Sequence, residues 1–119
     1  METEQYKEIL SRYLPQEAVD GIFDYVRRHG VRLSITASRK SKLGDYRWPR
    51  KGANYHQISV NGDLNPYHFL YVLLHEFAHL ETFETYGKGV RPHGHEWQDA
   101  FARLLLQWVW IFPSDIQQE

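Results

Sequence analysis

The chain has 119 residues and a net charge of −1, and its 42% hydrophobic and 15% aromatic content is enough to build the core of one domain. It has no cysteine, which excludes disulfide bonds, thiolate metal sites and cysteine nucleophiles. It also has no apolar run long enough to span a membrane, and its acidic N-terminal segment lacks the apolar core of a secretory signal. We therefore expect a single domain over residues 1–119, located in the cytoplasm, as a monomer that does not contact a membrane.

Two short helices are predicted first. Residues 4–13 carry apolar side chains at helical spacing. The second helix follows Pro15, which fits a first turn, and ends at Gly30, which fits a helix stop. The apolar face of the second helix has four members: Val19, Ile22, Phe23 and Val26.

Three β-strands are predicted between residues 31 and 61. In the segments VRLSITAS and YHQISVN, residues on one face alternate with more polar neighbours, a pattern typical of strands with one buried face. DYRW is predicted to form a short strand between them, because Pro49 and Gly52 end it. His56 shares a face with Ile58, so we interpret this histidine as structural.

Two more helices complete the predicted order. Asn65 and Pro66 fit an N-cap followed by proline at the first position, and this third helix extends to about residue 85, before Gly87. Residues 94–110 form the last helix, and Trp110 is predicted to be a core residue by its spacing. The order predicts an α+β fold in which helices pack on a small antiparallel sheet.

The sequence HEFAH lies in the third predicted helix. His75 and His79 are four residues apart, so their imidazoles lie one turn apart on one face and point at a common position. Glu76 is placed to reach a water on the metal, as the general base does in H-E-x-x-H hydrolases. Because this helix is apolar nearly all round, burying two histidines and a glutamate is costly unless a metal or a hydrogen-bonded core network compensates. We predict that His75 and His79 bind zinc and that Glu76 is the catalytic base.

A catalytic zinc needs a third protein ligand and one open position. The next segment offers four candidates: His93, His95, Glu96 and Asp99. His93 lies one turn before Trp97, in line with the apolar face of the last helix. On a regular helix His95 is rotated by about 200° from His93, so its side chain should point away from the site. Glu96 is rotated by only about 60° from His93 and is the second choice. We predict His93 as the third ligand of one Zn²⁺ per chain.

These motifs carry a family resemblance. HEFAHL, a loop and then PHGHEW resemble the zinc signature of the SprT-like (Spartan-type) metallopeptidases, in which a third histidine opens an H-G-x-E-[FW] element. The order of the upstream segments is also similar to that in the family: SKLGDYRW comes first, then ISVNGDLN, then the HExxH helix. The resemblance therefore covers roughly residues 30–108. In this alignment His93 is the third ligand, and Gly94, Glu96 and Trp97 form the rest of the element.

The resemblance implies a zincin-like metallopeptidase domain with HExxH on a central buried helix. It also implies a zinc-dependent endopeptidase whose substrates include DNA-bound or DNA-crosslinked proteins, and hence a role in DNA repair. Many SprT-like proteins continue into a cysteine zinc ribbon. The ribbon is absent from these residues, which contain no cysteine, so we expect either a trimmed catalytic domain or a form that lacks the ribbon.

Positive charge is concentrated in the middle of the chain, where nine of the fourteen Lys and Arg residues fall between residues 27 and 51. Cations follow phosphates and aromatic rings stack on unpaired bases, so this segment is a candidate for contact with single-stranded DNA. The candidate residues are Arg39, Lys40, Lys42, Tyr46, Arg47, Trp48, Arg50 and Lys51. The alternative is a solvated hairpin whose aromatic side chains pack back on the core.

Two classes of function follow. The first is an endopeptidase that holds a protein or peptide substrate extended beside an edge strand, residues 43–48 or 55–60. The second is a non-catalytic, metal-stabilised module that binds nucleic acid or a partner through residues 27–51. Glu76 favours the first class, because a purely structural metal site needs no base. His68, seven residues before His75, is predicted to be a partly buried packing residue.

Overall fold

A computed structural model describes residues 2–114, and within this range the chain forms an α+β fold of four helices and a three-stranded sheet. The helices are α1 (Thr3–Ser11), α2 (Val19–His29), α3 (Pro66–Tyr86) and α4 (His95–Trp108). The strands are β1 (Val31–Thr36), β2 (Gly44–Arg47) and β3 (His56–Asn61). Short 3₁₀ turns cover Gln16–Ala18, Gly87–Gly89 and Val109–Ile111. None of the helices within residues 2–114 is both long and apolar enough to cross a membrane.

Local sequence signals set the ends of α2 and α3. Gly30 ends α2 with φ 68°, a left-handed conformation that glycine adopts without a steric cost. The Asn65 side chain caps α3 by accepting a hydrogen bond from the His68 backbone N–H at 2.9 Å, and Pro66 occupies the first turn. These positions agree with the predicted boundaries.

The sheet is mixed, so the prediction of an antiparallel sheet was wrong. Its strand order is β1-β3-β2, with β2 antiparallel to β3 and β1 parallel to β3. The basic connection between β1 and β2 takes the chain past the position of β3, so consecutive strands lie at opposite edges. Alternation of apolar and polar residues specifies which face of a strand is buried, and it does not specify the direction of its neighbours.

Helix α3 lies at the centre of the core and is buried nearly all round. Ten of its side chains are buried, and the inner face of β3 packs against it through Ile58 and Val60. Residues 75–79 therefore belong to the most enclosed helix of the described chain. Around such a helix, polar side chains can reach solvent only where a cleft opens.

Two predicted packing positions differ from the structure. Trp110 is 64% exposed, and Ile111 and Phe112 are buried instead. The 3₁₀ turn Val109–Ile111 changes the helical period after Trp108, so the residue that faces the core is shifted by one. His68 is exposed rather than partly buried, because it lies on the outward side of the first turn of α3, whereas its neighbour Phe69 is buried.

Candidate metal centre

Three histidine side chains converge at one end of a cleft. His75 and His79 project from the same face of α3, and His93 approaches them from the loop before α4. The His93 Nε2 atom lies 3.1 Å from His75 Nε2 and 3.0 Å from His79 Nε2. The three residues are thus positioned to bind a metal ion.

The donor set fits a tetrahedral zinc ion. Two imidazole ligands at about 2.05 Å from a tetrahedral ion would have their nitrogens roughly 3.3 Å apart, close to the two separations found here. Three imidazole nitrogens also suit other first-row transition metals, such as copper or nickel.

Both helical ligands are held in the neutral form that binds metals. Burial lowers the pKa of His75, and the nearby His93 lowers it further. Burial, assisted by His75 and His93, lowers the pKa of His79 to about 4. At neutral pH these imidazoles are uncharged, so their lone pairs are free for a cation. The His75 Nε2 atom is 4.0 Å from Glu76 Oε2, and because His75 is neutral this contact is not an ion pair.

His93 has an unusual backbone conformation. Its φ of 60° makes it the only non-glycine residue with a positive φ among those the structure describes. A left-handed conformation costs an ordinary L-residue about 1–2 kcal/mol, and such strain tends to persist at functional sites. The turn is fixed by a 3.0 Å hydrogen bond from the Gly94 N–H to the Arg91 carbonyl, and by the Gln98 side chain, which donates to the His93 carbonyl. Helical periodicity could not predict this conformation, because His93 lies outside α4.

Trp97 supports all three histidine rings. Its ring centroid is 4.7 Å from His75, 4.7 Å from His93 and 5.4 Å from His79. Its Nε1–H also donates to the His75 carbonyl at 3.3 Å. The sequence placed Trp97 on the apolar face of the last helix and in the family element. The structure adds that this one side chain contacts all three histidine rings.

Glu76 is a buried carboxylate beside the cluster, with only 5% of the residue exposed. Burial raises its pKa to about 7, and the negative charge of Asp45 adds to this effect, whereas Arg39 and Lys42 oppose it. The carboxylate lies against Gly44 of β2: a Cβ atom added to Gly44 would be 2.9 Å from Glu76 Oε2. This close approach is possible because Gly44 has no side chain.

The cluster opens into a cleft of about 420 Å³ between α3, β2 and the loop that carries His93. Its walls include Tyr46 and Trp48 from the β2 side and Phe83 from α3. Trp48 stacks on Phe83 with ring centroids 5.8 Å apart, and the Tyr46 ring is stacked 6.4 Å from His79. A second depression of about 330 Å³, lined by Leu43, Tyr71 and the exposed His68 among others, adjoins the same Glu76.

A hydrogen-bonded network around the buried His56 fixes the Tyr46 wall. The Tyr46 hydroxyl donates to His56 Nδ1 at 2.7 Å, and His56 Nε2 lies 3.4 Å from Glu84 at the end of α3. His29 Nδ1 contacts the same Glu84 carboxylate at 3.0 Å. His56 is therefore a structural histidine, as predicted, and it lies outside the ligand cluster.

The other candidate ligands lie away from the cluster. The His95 side chain is 78% exposed and faces Asp99, 3.9 Å away on the next turn of α4. Neither residue belongs to the group of converging ligand atoms, and nor does Glu96. The choice of His93 over these alternatives agrees with the arrangement of the side chains.

The eight residues predicted to contact DNA do not share one face of the molecule. Tyr46 and Trp48 line the metal cleft. Arg39 and Arg47 lie on the opposite face of the sheet, and Lys42 is at the boundary between the two. The three remaining cations, Lys40, Arg50 and Lys51, are all exposed at the surface. The structure does not bring the aromatic rings and the cations of this segment into one patch.

The comparisons with known proteins agree on one family. Protein SprT of Pseudomonas fluorescens is similar to this chain, with 38% identity over 52 residues, which are 43% of this chain and 29% of that protein. Protein SprT of Vibrio parahaemolyticus is similar, with 52% identity over 46 residues, 35% of this chain and 27% of the relative. Each match thus spans less than a third of the relative's length. The model of the SprT-like family matches residues 10–108, which is most of the chain, and the protein therefore belongs to the SprT-like family.

Proposed function

We propose that this protein is a zinc-dependent endopeptidase with a zincin-like fold, formed by residues 1–119 as one metallopeptidase domain. In this proposal His75, His79 and His93 hold one zinc ion and Glu76 is the general base. The observation that carries it is the convergence of three Nε2 atoms beside a buried carboxylate, within an open cleft. A structural metal site needs neither the carboxylate nor the opening.

Glu76 is suited to transfer a proton in both directions. A zinc ion bound there would lower the pKa of its water ligand to about 7 and polarise the substrate carbonyl. The Glu76 carboxylate accepts a proton from the attacking water and then donates it to the leaving amine. Burial raises the pKa of Glu76 to about 7 in the chain without metal, and the charge of a bound cation would lower this pKa toward that of a carboxylate that acts as a base at neutral pH.

The substrate class is a polypeptide in an extended conformation. β2 is an edge strand, and Gly44, Asp45 and Tyr46 form the wall of the cleft beside Glu76. An extended peptide can pair with such an edge through its backbone, which brings a peptide bond next to the metal ligands. From the family resemblance and the basic residues of the central segment, we extend the proposal to proteins bound or crosslinked to DNA.

The test is hydrolysis of an unfolded protein by the zinc-loaded chain, with Glu76→Gln as the comparison. The amide is similar in size to the carboxylate but cannot accept a proton, so the variant should keep its metal and its fold and lose hydrolysis by at least about 100-fold. A chelator should abolish wild-type activity, and added zinc should restore it. Equal activity of the two forms would refute the role of Glu76. If neither form cleaves while metal is bound, the non-catalytic binding module is favoured instead.

A further inference from the structure

A second concavity adjoins the metal cleft at Glu76. It is the depression of about 330 Å³ between the start of β2 and the first half of α3, here called the side pocket. The residues that line both the side pocket and the metal cleft are Lys42, Gly44, His75 and Glu76. His79 and His93 line the cleft and do not line the side pocket. The side pocket therefore begins at the proposed base and extends away from two of the three candidate metal ligands.

The walls of the side pocket are mainly apolar. Leu43 and Tyr71 line it from β2 and α3, and they remain 41% and 45% exposed. The Tyr71 ring is held by an edge contact with Phe101 of α4, with ring centroids 5.4 Å apart. The buried Val72 closes the inner end against Gly44, where an added Cβ atom would be 2.7 Å from Val72 Cγ1. The result is a supported apolar recess whose two large side chains are open to solvent.

The polar groups of the side pocket make it a poor site for a charged side chain. An acidic side chain would lie near the Glu76 carboxylate, which also lines the recess. A basic side chain would meet Lys42, and it could pair with Glu76 only by occupying the carboxylate that the proposed reaction needs. Either charge would also leave water for walls that are mainly apolar. His68 lies at the exposed rim and leaves the apolar walls unchanged.

The position of Glu76 sets which part of a substrate reaches the side pocket. In the proposed hydrolysis the water oxygen bonds to the carbonyl carbon beside the histidines, the C–N bond breaks, and Glu76 donates the proton to the leaving amine. The amine therefore departs on the side of Glu76, and the carboxylate lies against Gly44 at the inner end of the side pocket. The substrate residue that carries this amine is the one that follows the cleaved bond.

We propose that the side pocket binds the side chain of the substrate residue that follows the cleaved bond, and that it selects a large apolar side chain such as leucine or phenylalanine. The inference rests on the proposed peptidase function and names Leu43 and Tyr71 as determinants of its specificity. Covering these two exposed side chains removes apolar surface from water, which is the source of the selection. Alanine at the same position would leave both walls exposed.

The experiment uses short peptides of alanine and serine that carry one variable residue, either leucine, phenylalanine, alanine, glutamate or lysine. The zinc-loaded protein should cut the bond before leucine or phenylalanine, as identified by mass spectrometry of the products. The value of kcat/KM should exceed that of the alanine peptide by at least about 10-fold, the discrimination that an apolar pocket gives for one methylene group.

Two variants of Leu43 test the wall directly. Leu43→Ala should reduce the ratio of kcat/KM between the leucine and alanine peptides several-fold. Leu43→Lys should raise kcat/KM for the glutamate peptide relative to the leucine peptide, a reversal that loss of stability alone does not produce. The matched control Leu106→Ala makes the same truncation at a residue that is 74% exposed on α4 and lines neither concavity, so it should keep the wild-type ratios.

A readout without hydrolysis separates this proposal from the peptidase proposal. In the zinc-loaded Glu76→Gln form, the methyl NMR signals of Leu43 and Val72 should shift when the leucine peptide is added and stay in place with the alanine peptide. Hydrolysis without preference for a large apolar residue after the cut, or equal ratios in Leu43→Ala and wild type, would overturn the side pocket and leave the peptidase standing. If no peptide is cut, the peptidase proposal fails, and equal methyl shifts with the two peptides would overturn the side pocket as well.

Discussion

Gly44 provides the space in which the Glu76 carboxylate lies. The position of a Cβ atom at Gly44 would be 2.7 Å from Val72 Cγ1 and 2.9 Å from Glu76 Oε2, both closer than a real side chain tolerates. Its backbone also pairs with Val60 of β3, so β2 cannot move away without breaking the sheet. At the scale of single residues, the space for the Glu76 carboxylate depends on a glycine in the neighbouring strand.

Gly44→Ala should therefore reduce hydrolysis without removing the metal. The added methyl group displaces the Glu76 carboxylate, and a shift of about 1 Å at a reacting group can cost about 100-fold in rate. The measurement is the rate of protein hydrolysis together with zinc content. Gly89→Ala is the matched control, because no atom lies within 4 Å of the added methyl at that position. Wild-type activity in Gly44→Ala would show that the carboxylate does not depend on this contact.

At the scale of elements, the sequence predicted helices better than it predicted strand partners. The caps of α3 and the glycine after α2 are local signals that act through neighbouring backbone groups, and both agreed with the structure. The direction of β1 relative to β3 depends on the path of a connection whose residues carry no such signal. The exposure of Trp110 was missed for a similar reason, since a change from α to 3₁₀ geometry is not visible in apolar spacing.

In the candidate site, too, the sequence predicted the features that depend on local signals and missed those that depend on contacts between distant segments. The convergence of His75 and His79 follows from helical periodicity alone, because one turn of a helix places residues i and i+4 on the same face. Glu76 was predicted from the H-E-x-x-H pattern instead. The left-handed turn at His93 and the approach of β2 to Glu76 require contacts between segments far apart in the sequence. Glycine at position 44 was a signal for such a close approach, but one sequence does not show which atoms approach.

The network that joins β3, β2 and α3 should make stability depend on pH through His56. Burial lowers the pKa of His56, and Glu84 only partly opposes this. The unfolded chain therefore binds a proton at His56 at a higher pH than the folded chain does. As pH falls through the ordinary histidine range, about 6.5, the folded state loses stability at this residue.

The comparison is the free energy of unfolding of wild type and His56→Gln in urea at pH 7.5 and 5.5, with chelator present so that metal release does not contribute. The difference between the two proteins, wild type minus variant, should decrease at the lower pH, because glutamine does not titrate. A difference that is unchanged or larger at pH 5.5 would contradict the assignment of His56 as a buried, neutral histidine.

At the scale of the whole molecule, the candidate metal centre joins parts of the chain that are far apart in the sequence. α3 contributes two of its histidines, the loop before α4 contributes the third, and β2 forms the facing wall. α3 and α4 pack against each other, and Trp97 of α4 contacts the three rings. A metal bound here would therefore connect the central helix to the loop that carries His93.

The most direct test of this arrangement is the zinc-to-protein ratio of three purified forms: wild type, His93→Asn and His95→Asn. Asparagine tolerates the left-handed backbone at residue 93, so a loss of metal reports the missing imidazole rather than a disrupted turn. Mass spectrometry should give one zinc per chain for wild type and His95→Asn and much less for His93→Asn. Full zinc content in His93→Asn together with loss in His95→Asn would contradict the three-histidine centre.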